Sequence, residues 1–353
     1  MASATETQGL DPGGAPIDIK RVAMIGFTVA DMDRSVAFYS DVLAFEKVAD
    51  VEVNGPCAGR IEGLTGTAMR VVHVRLGKQI VELTQYLSPQ GGRSIPDASR
   101  SNDLWFEHMA IVVADMEKAY EGLQRHQVRH ISPEPQTIPP SNVSAAGIKA
   151  FKFRDPDGHD LELLWFPAEK GASCWHPRGD DRLFLGIDHT AITVGNTAAS
   201  LAFYRDLLGM TVIGTSLNTG MTQEHLDDVV GARVRVTAVS PPDELPHVEF
   251  LEYEAPRGGS PMPADTKAND LWHWQTTLVA GDVEAAAEVL RAAGVRFVSK
   301  GVSATPHPSL GFAKAIMVLD PDGHAMRLVE PCAMANRDHE PVFMSVRSIT
   351  RHH

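Results

Sequence analysis

Three short words recur in the same order in both halves of the chain, and this recurrence limits the fold more than any other feature. The segment TVADMDRSVAFYSDVLAF at 28–45 returns as TVGNTAASLAFYRDLLGM at 193–210, so Phe38-Tyr39 maps onto Phe203-Tyr204 at an offset of 165. NDLW at 102–105 returns at 269–272, and DPDGH at 155–159 returns at 320–324, offsets of 167 and 165. A period this long marks duplicated structural units rather than short solenoid repeats.

Each half divides again. VAMIGFTVADMDRSVAFYSDVL and FEHMAIVVADMEKAYEGLQRH share one plan: a β-rich apolar run, an Asp at a turn, then an amphipathic stretch. Val36, Phe38-Tyr39 and Leu43 keep helical spacing, as do Met116, Ala119-Tyr120 and Leu123. The Asp before each stretch suits an N-cap, because its carboxylate accepts from unpaired N–H groups of the first turn. Strands follow. VVHVRLG and QIVELTQYL meet at a glycine, and IKAFKFR and HDLELLWF meet at DPDG, where Pro sets φ and Gly accepts positive φ.

The expected fold class is therefore α+β, with four β-α-β-β-β modules at about 21–88, 103–167, 184–256 and 270–331. As domains, residues 21–167 and 184–331 are two halves of two modules each, with 1–20 a mobile N-terminus, 168–183 a linker and 332–353 a C-terminal tail. Pro/Gly/Ser/Asp-rich segments at 89–102 and 257–269 join the modules within each half.

Composition excludes several functions. With 32 Lys+Arg against 45 Asp+Glu the formal charge is −13, which disfavours a bulk electrostatic grip on nucleic acid or anionic membrane. No apolar run approaches the ~18 residues of a membrane span. MASATETQGL lacks the basic start and apolar stretch of a secretory leader, so a cytoplasmic location is expected. Cys57, Cys174 and Cys332 are scattered and odd in number, which reads as buried free thiols in a reducing compartment. No G-x-S-x-G or phosphate-loop motif is present; GG at 91–92 and 258–259 fall in linkers.

Four such modules ending in DPDGH-x-(L/M)-x-L resemble the vicinal oxygen chelate superfamily, the glyoxalase/bleomycin-resistance/extradiol-dioxygenase group, over residues 21–331. The resemblance implies curved mixed sheets around a metal cleft. Each module can supply one ligand from its first strand and one from its last. Carried over, the positions are Met24 and Glu82, His108 and Glu162, His189 and Glu249, then Gln275 and Arg327. Only the second and third modules keep a His/Glu pair.

Pairing of modules decides the outcome. Pairing within halves damages both sites. Crossed pairing, second with third and first with fourth, unites His108, Glu162, His189 and Glu249 and gathers the three losses into a metal-dead site of Met24, Glu82, Gln275 and Arg327. The crossed arrangement is favoured on that ground. It also lets the Arg327 guanidinium fill the vacated slot and compensate Glu82.

The implied cofactor is one divalent metal, Zn, Ni, Co, Mn or Fe, held by His108, Glu162, His189 and Glu249. A Lewis acid there, with Glu162 or Glu249 as proton carrier, points to a glyoxalase-like lyase or isomerase. Its substrate would be a small carbonyl or vicinal-oxygen compound, reacting through an enediolate-type intermediate. HTAITV and VEFLEYEAP lack the Arg and Asn with which the glyoxalase I branch holds glutathione, so lactoylglutathione is not the expected substrate. An Fe(II) extradiol-type ring-cleaving dioxygenase is the alternative, and a non-catalytic ligand-binding protein of the same fold is a third.

Other groups have blander readings. His159 and His324 in DPDGH are read as structural. His73, His225 and His247 show no partner pattern. Glu252, three residues beyond Glu249, faces away from it. Trp105, Trp165, Trp272 and Trp274 are core or pocket walls.

Overall fold

The computed structural model describes residues 16–179, 181–242 and 245–332. Of the expected mobile N-terminus, residues 1–15 lie outside these ranges, as does the tail beyond Cys332. Residues 16–20 are ordered into the fold: Ile17 N donates to Leu207 O at 2.8 Å, and the first strand starts at Ile19.

The first module comprises β1 (Ile19–Thr28), α1 (Met32–Ala37), β2 (Glu46–Asn54), α2 (Pro56–Ile61), β3 (Ala68–Leu76) and β4 (Gln79–Ser88). The second comprises β5 (Glu107–Val113), α3 (Met116–Arg125), the two-residue strands β6 (Arg129–His130) and β7 (Gln136–Thr137), β8 (Lys149–Arg154) and β9 (Asp160–Trp165). The third comprises β10 (Phe184–Thr193), α4 (Thr197–Leu201), β11 (Thr211–Thr219), α5 (Met221–Asp227), β12 (Arg233–Ser240) and β13 (His247–Ala255). The fourth comprises β14 (Trp274–Ala280), α6 (Val283–Ala292), the short β15 (Arg296–Phe297) and β16 (Ser303–Ala304), β17 (Phe312–Leu319) and β18 (Ala325–Pro331).

The helix starts follow the capping logic. Asp31 accepts from Arg34 N at 3.1 Å and Asp115 from Lys118 N at 3.0 Å; Asn196 and Asp282 do the same for α4 and α6. The Phe-Tyr words fall just after α1 and α4, in π-helical turns over Phe38–Val42 and Ala202–Leu207. A π turn shifts the side chains that follow it, and it sends Tyr39 and Tyr204 inward, where both are fully buried.

Two curved mixed sheets result. One runs β15-β17-β18-β14-β1-β4-β3-β2, so it joins the fourth module to the first. The other runs β11-β12-β13-β10-β5-β9-β8-β6 and joins the third to the second. The joins are antiparallel, β1 on β14 and β5 on β10, while each first strand runs parallel to its own module's last strand. Module pairing is therefore crossed.

The helix-bearing faces obey a different grouping. Phe27, Met32 and Tyr39 of the first module share a core with Met109, Met116, Leu123 and Phe153 of the second. Ile192, Tyr204 and Phe250 of the third share another with Leu278, Leu290 and Met326 of the fourth. Each half of the chain packs on its own helices, yet each concave site is assembled from both halves. Among the described residues no helix is long and apolar enough to cross a membrane.

The cysteines depart from expectation. All three are free, but Cys57 and Cys174 are exposed and Cys332 is half-buried, because Cys57 lies on the outer face of the short α2 and Cys174 in a surface turn.

Candidate metal centre

In the sheet of the second and third modules, the concave face collects the residues that the two intact modules supply. His108 on β5, Glu162 on β9 and His189 on β10 bring one donor atom each within 4.8 Å of one another. His108 Nε2 is 3.3 Å from Glu162 Oε2, and His189 Nε2 is 3.6 Å from both Glu162 Oε2 and Glu249 Oε2. Ligands held ~2.0–2.2 Å from one ion stand roughly 3.0–3.5 Å apart, so these spacings suit donors that share a cation. Glu249 stands outside the tight trio and is the more open carboxylate, its side chain 22% exposed against 6% for Glu162.

The electrostatics agree with that fit. Both ring nitrogens of His108 are buried without a hydrogen-bond partner, which is costly for a polar ring unless something else engages it. Burial, aided by the nearby Lys152, pushes His108 below the ordinary histidine range and keeps it a neutral donor. Burial acts the same way on His189, but Glu249, Asp188 and Glu162 outweigh it and raise that ring to about 9. Three carboxylates around one imidazole mark a place that calls for positive charge. Burial would raise Glu162 and Glu249, yet His108 holds the first below the carboxylate range and His189 with His247 holds the second at about 2.

Three residues unassigned from the sequence stand beside the trio. His247 pairs in register with His189 and donates from Nε2 to Glu249 Oε1 at 3.3 Å. Its relation to Glu249 is two residues along one strand, hence one face; strand alternation alone could have revealed it. Asp188 accepts from His189 Nδ1 at 3.0 Å. Alternation places Asp188 on the opposite face, and only a bulge in β10 reverses that. Lys152, directly across from Glu162, is buried and donates to Asp227 Oδ1 at 2.7 Å; Gln223 and Tyr253 bond the other Asp227 oxygen.

The second concave site, shared by the first and fourth modules, holds Met24, Glu82, Gln275 and Arg327. Arg327 Nη1 donates to Glu82 Oε1 at 2.8 Å and Gln275 Nε2 to the same oxygen at 2.9 Å. His73, unassigned from sequence, donates to Glu82 Oε2 at 3.1 Å. The guanidinium stands where a cation would, as the crossed arrangement requires, and Glu82 stays well below the carboxylate range although burial acts against it.

The remaining expectations resolve simply. Glu252 faces the helix side, where it accepts from Thr197. Trp274 stacks on Phe27 with ring centroids 4.7 Å apart, Trp272 lies under Arg93, and Trp165 lies under Lys149. His225 is exposed on α5.

Two crossed sheets of duplicated modules, each cupping a polar centre, define a chelate-type fold. The chain belongs to the Glyoxalase/Bleomycin resistance protein/Dioxygenase superfamily, whose model matches residues 21–163 and again 186–328. Among characterised proteins it is similar to a 2-epi-5-epi-valiolone epimerase from Actinomyces sp, 32% identical over 149 residues, spanning 41% of this chain and 78% of that one. Its fold is similar to glyoxalase I from Zea mays (TM-score 0.56, 18% identity, covering 88% of this chain and 92% of that one). The fold is also similar to that of a putative dioxygenase from Bacillus subtilis (TM-score 0.53, 16% identity, covering 90% of this chain and 86% of that one).

Proposed function

We propose that this protein is a divalent-metal-dependent isomerase of the epimerase type, acting on a small carbonyl substrate that carries a neighbouring oxygen. His108, His189 and Glu162 would hold the metal, with Glu249 beside them. Bound there, a divalent ion supplies Lewis acidity toward a substrate carbonyl, acidifying the adjacent C–H.

The chain's own groups account for the proton. One observation carries the reading: the two glutamates occupy equivalent positions on the two modules, yet only Glu249 is open and held by a histidine rather than drawn into the trio. Glu249 takes the proton from the carbon beside the carbonyl at its carboxylate oxygen. His247, bonded to that carboxylate, holds it in place. Return of a proton to the opposite face of the same carbon inverts the centre. The returning proton comes from solvent, to which Glu249 releases its own, while Glu162, kept ionised beside His108, stays a ligand. Similarity to an epimerase supports isomerisation over elimination.

The test is exchange of substrate hydrogen in D₂O. With 2-epi-5-epi-valiolone or another α-oxygenated ketone and added Zn(II), Co(II), Mn(II), Ni(II) or Fe(II), deuterium should enter at the carbon next to the carbonyl, with inversion and no oxygen uptake. A trio of two histidines and one carboxylate also suits an Fe(II) oxygenase. Oxygen consumption on catechols without exchange would establish that second reading instead. A protein that binds no divalent metal under any loading would refute both.

A further inference from the structure

Asp188 is not explained by the ligand set, and it is built into the site with unusual care. In β10, Ile187 pairs with Ile111 and His189 with Ala110, so Asp188 is the extra residue of a β-bulge. A bulge turns two consecutive side chains toward one face. Asp188 Oδ2 thereby accepts from His189 Nδ1 at 3.0 Å, while Oδ1 accepts from Trp175 Nε1 at 2.9 Å. All three residues are buried. His247 Nδ1 lies 3.9 Å from the same carboxylate.

Trp175 comes from the segment between the halves, in a turn over Ser173–Trp175, and its ring lies against Gly186. A Cβ on Gly186 would meet that ring at 2.9 Å, so the strand is pared back where the indole seats. The connecting segment is thus part of the centre.

The molecule contains its own comparison. β1 has the same bulge at the equivalent place, where Val22 pairs with Leu278 and Met24 with Thr277. There the bulged residue is Ala23 and the next is Met24. The carboxylate is present where the following residue is a histidine and missing where it is not. β5 shows the other case: Glu107, just before His108, leaves both oxygens without a hydrogen bond, and His108 Nδ1 has no partner.

We infer that Trp175 and Asp188 are positioning residues that fix the ring of His189 and commit its Nε2 to the metal. The inference rests on the metal reading above. The bond from Nδ1–H to Asp188 leaves the lone pair on Nε2, sets the ring plane and raises the basicity of the donor nitrogen. Trp175 in turn anchors the carboxylate by its second oxygen. His189 is held and His108 is not, so the two histidines differ in rigidity.

The experiment measures metal dissociation constants by chelator competition, with the Co(II) absorption spectrum as a second readout, on full-length wild type, Asp188→Asn, Asp188→Ala, Trp175→Phe, the Asp188→Ala/Trp175→Phe double variant and His189→Ala. Asp188→Asn should weaken binding ~10–100-fold and shift the Co(II) bands. Trp175→Phe should weaken it less, and should add nothing in an Asp188→Ala background, because both act through one chain of bonds. Wild-type dissociation constants and spectra in Asp188→Asn and Trp175→Phe, alongside loss in His189→Ala, would overturn this inference and leave the metal reading intact. A wild-type protein without metal affinity would overturn both. Trp175→Phe also guards against misfolding of the Asp188 variants, since it keeps the aromatic wall against Gly186.

Discussion

His159 Nε2 donates to the backbone carbonyl of Leu271 at 2.8 Å, and across the pseudo-symmetric interface His324 Nε2 donates to Leu104 O at the same distance. These bonds tie the second module to the fourth. At the other nitrogen, His159 Nδ1 donates to Asp155 Oδ2 and His324 Nδ1 to Asp320 Oδ2, each at 2.9 Å. Tyr39 and Tyr204 donate to those same aspartate oxygens at 3.3 and 3.2 Å. The three repeated words of the sequence, Phe-Tyr, NDLW and DPDGH, thus converge on one junction. They recur because the junction does. Its histidines are structural.

Both partners of each latch histidine accept only, so both ring nitrogens must carry hydrogen and the ring is cationic. Burial opposes this, but Asp155 raises His159 to about 9, and Asp320, Glu107 and Asp322 raise His324 to about 10. An unfolded histidine titrates near ~6.5. The latch contribution is therefore complete below that pH and is lost as pH rises through the folded values. Glu107, lifted to about 8 mainly by burial, acts in the same direction, because ionising it is harder in the folded protein. Melting temperature should fall between pH 7 and 10. The fall should be shallower in His159→Gln/His324→Gln and shallower again when Glu107→Gln is added. An alkaline limb identical in all three proteins would refute the account.

Arg327 compensates Glu82 within a closed polar centre. Arg327→Met should destabilise by ~3–5 kcal/mol, since it strands a buried carboxylate. Adding Glu82→Gln should recover part of that loss. Urea unfolding measures the pair, and metal affinity should not change in either variant, because the residues proposed to hold the metal lie on the other sheet. Loss of metal binding in Arg327→Met would contradict the separation of the two sites.

The two glutamates should separate on substitution. Glu249→Gln is expected to lower α-proton exchange by ~10²–10⁴-fold, the usual worth of a positioned base, while metal binding persists through the trio. Glu162→Gln should lose much of both. Isothermal titration with Co(II), run beside the exchange assay, distinguishes these outcomes. Equal metal loss in both variants would place Glu249 inside the ligand set.

Glycine at 92 and 259 is a packing requirement. A Cβ would meet Asn269 O at 1.7 Å from Gly92 and Asn102 O at 1.6 Å from Gly259, so each linker backbone lies directly on the NDLW segment opposite. Gly92→Ala and Gly259→Ala should each cost about 1–3 kcal/mol. Gly281→Ala, with open space around its Cβ, should be nearly neutral. Differential scanning fluorimetry ranks the three, and a neutral Gly92→Ala would show that the linker can move away.

The repeated strand–helix plan, the helix caps and the alignment of His108 with His189 and of Glu162 with Glu249 were legible in the chain because each depends on local spacing. Offsets near 165 exposed which modules kept His and Glu and which had Met, Gln and Arg instead. Strand pairing was not local. Met24 lies beside Thr277, and His189 beside Ala110, through contacts between distant segments that no periodicity encodes. Only that pairing turned two damaged half-sites into one complete centre and one closed by Arg327. Asp188 was hidden for a further reason: alternation points it away from His189, and a single inserted residue in the ladder points it back. Trp175 was hidden because a linker has no period at all. Local patterns specify what each segment can offer; which offers meet depends on long-range packing, where one bulge or one crossed strand redirects a side chain to another face.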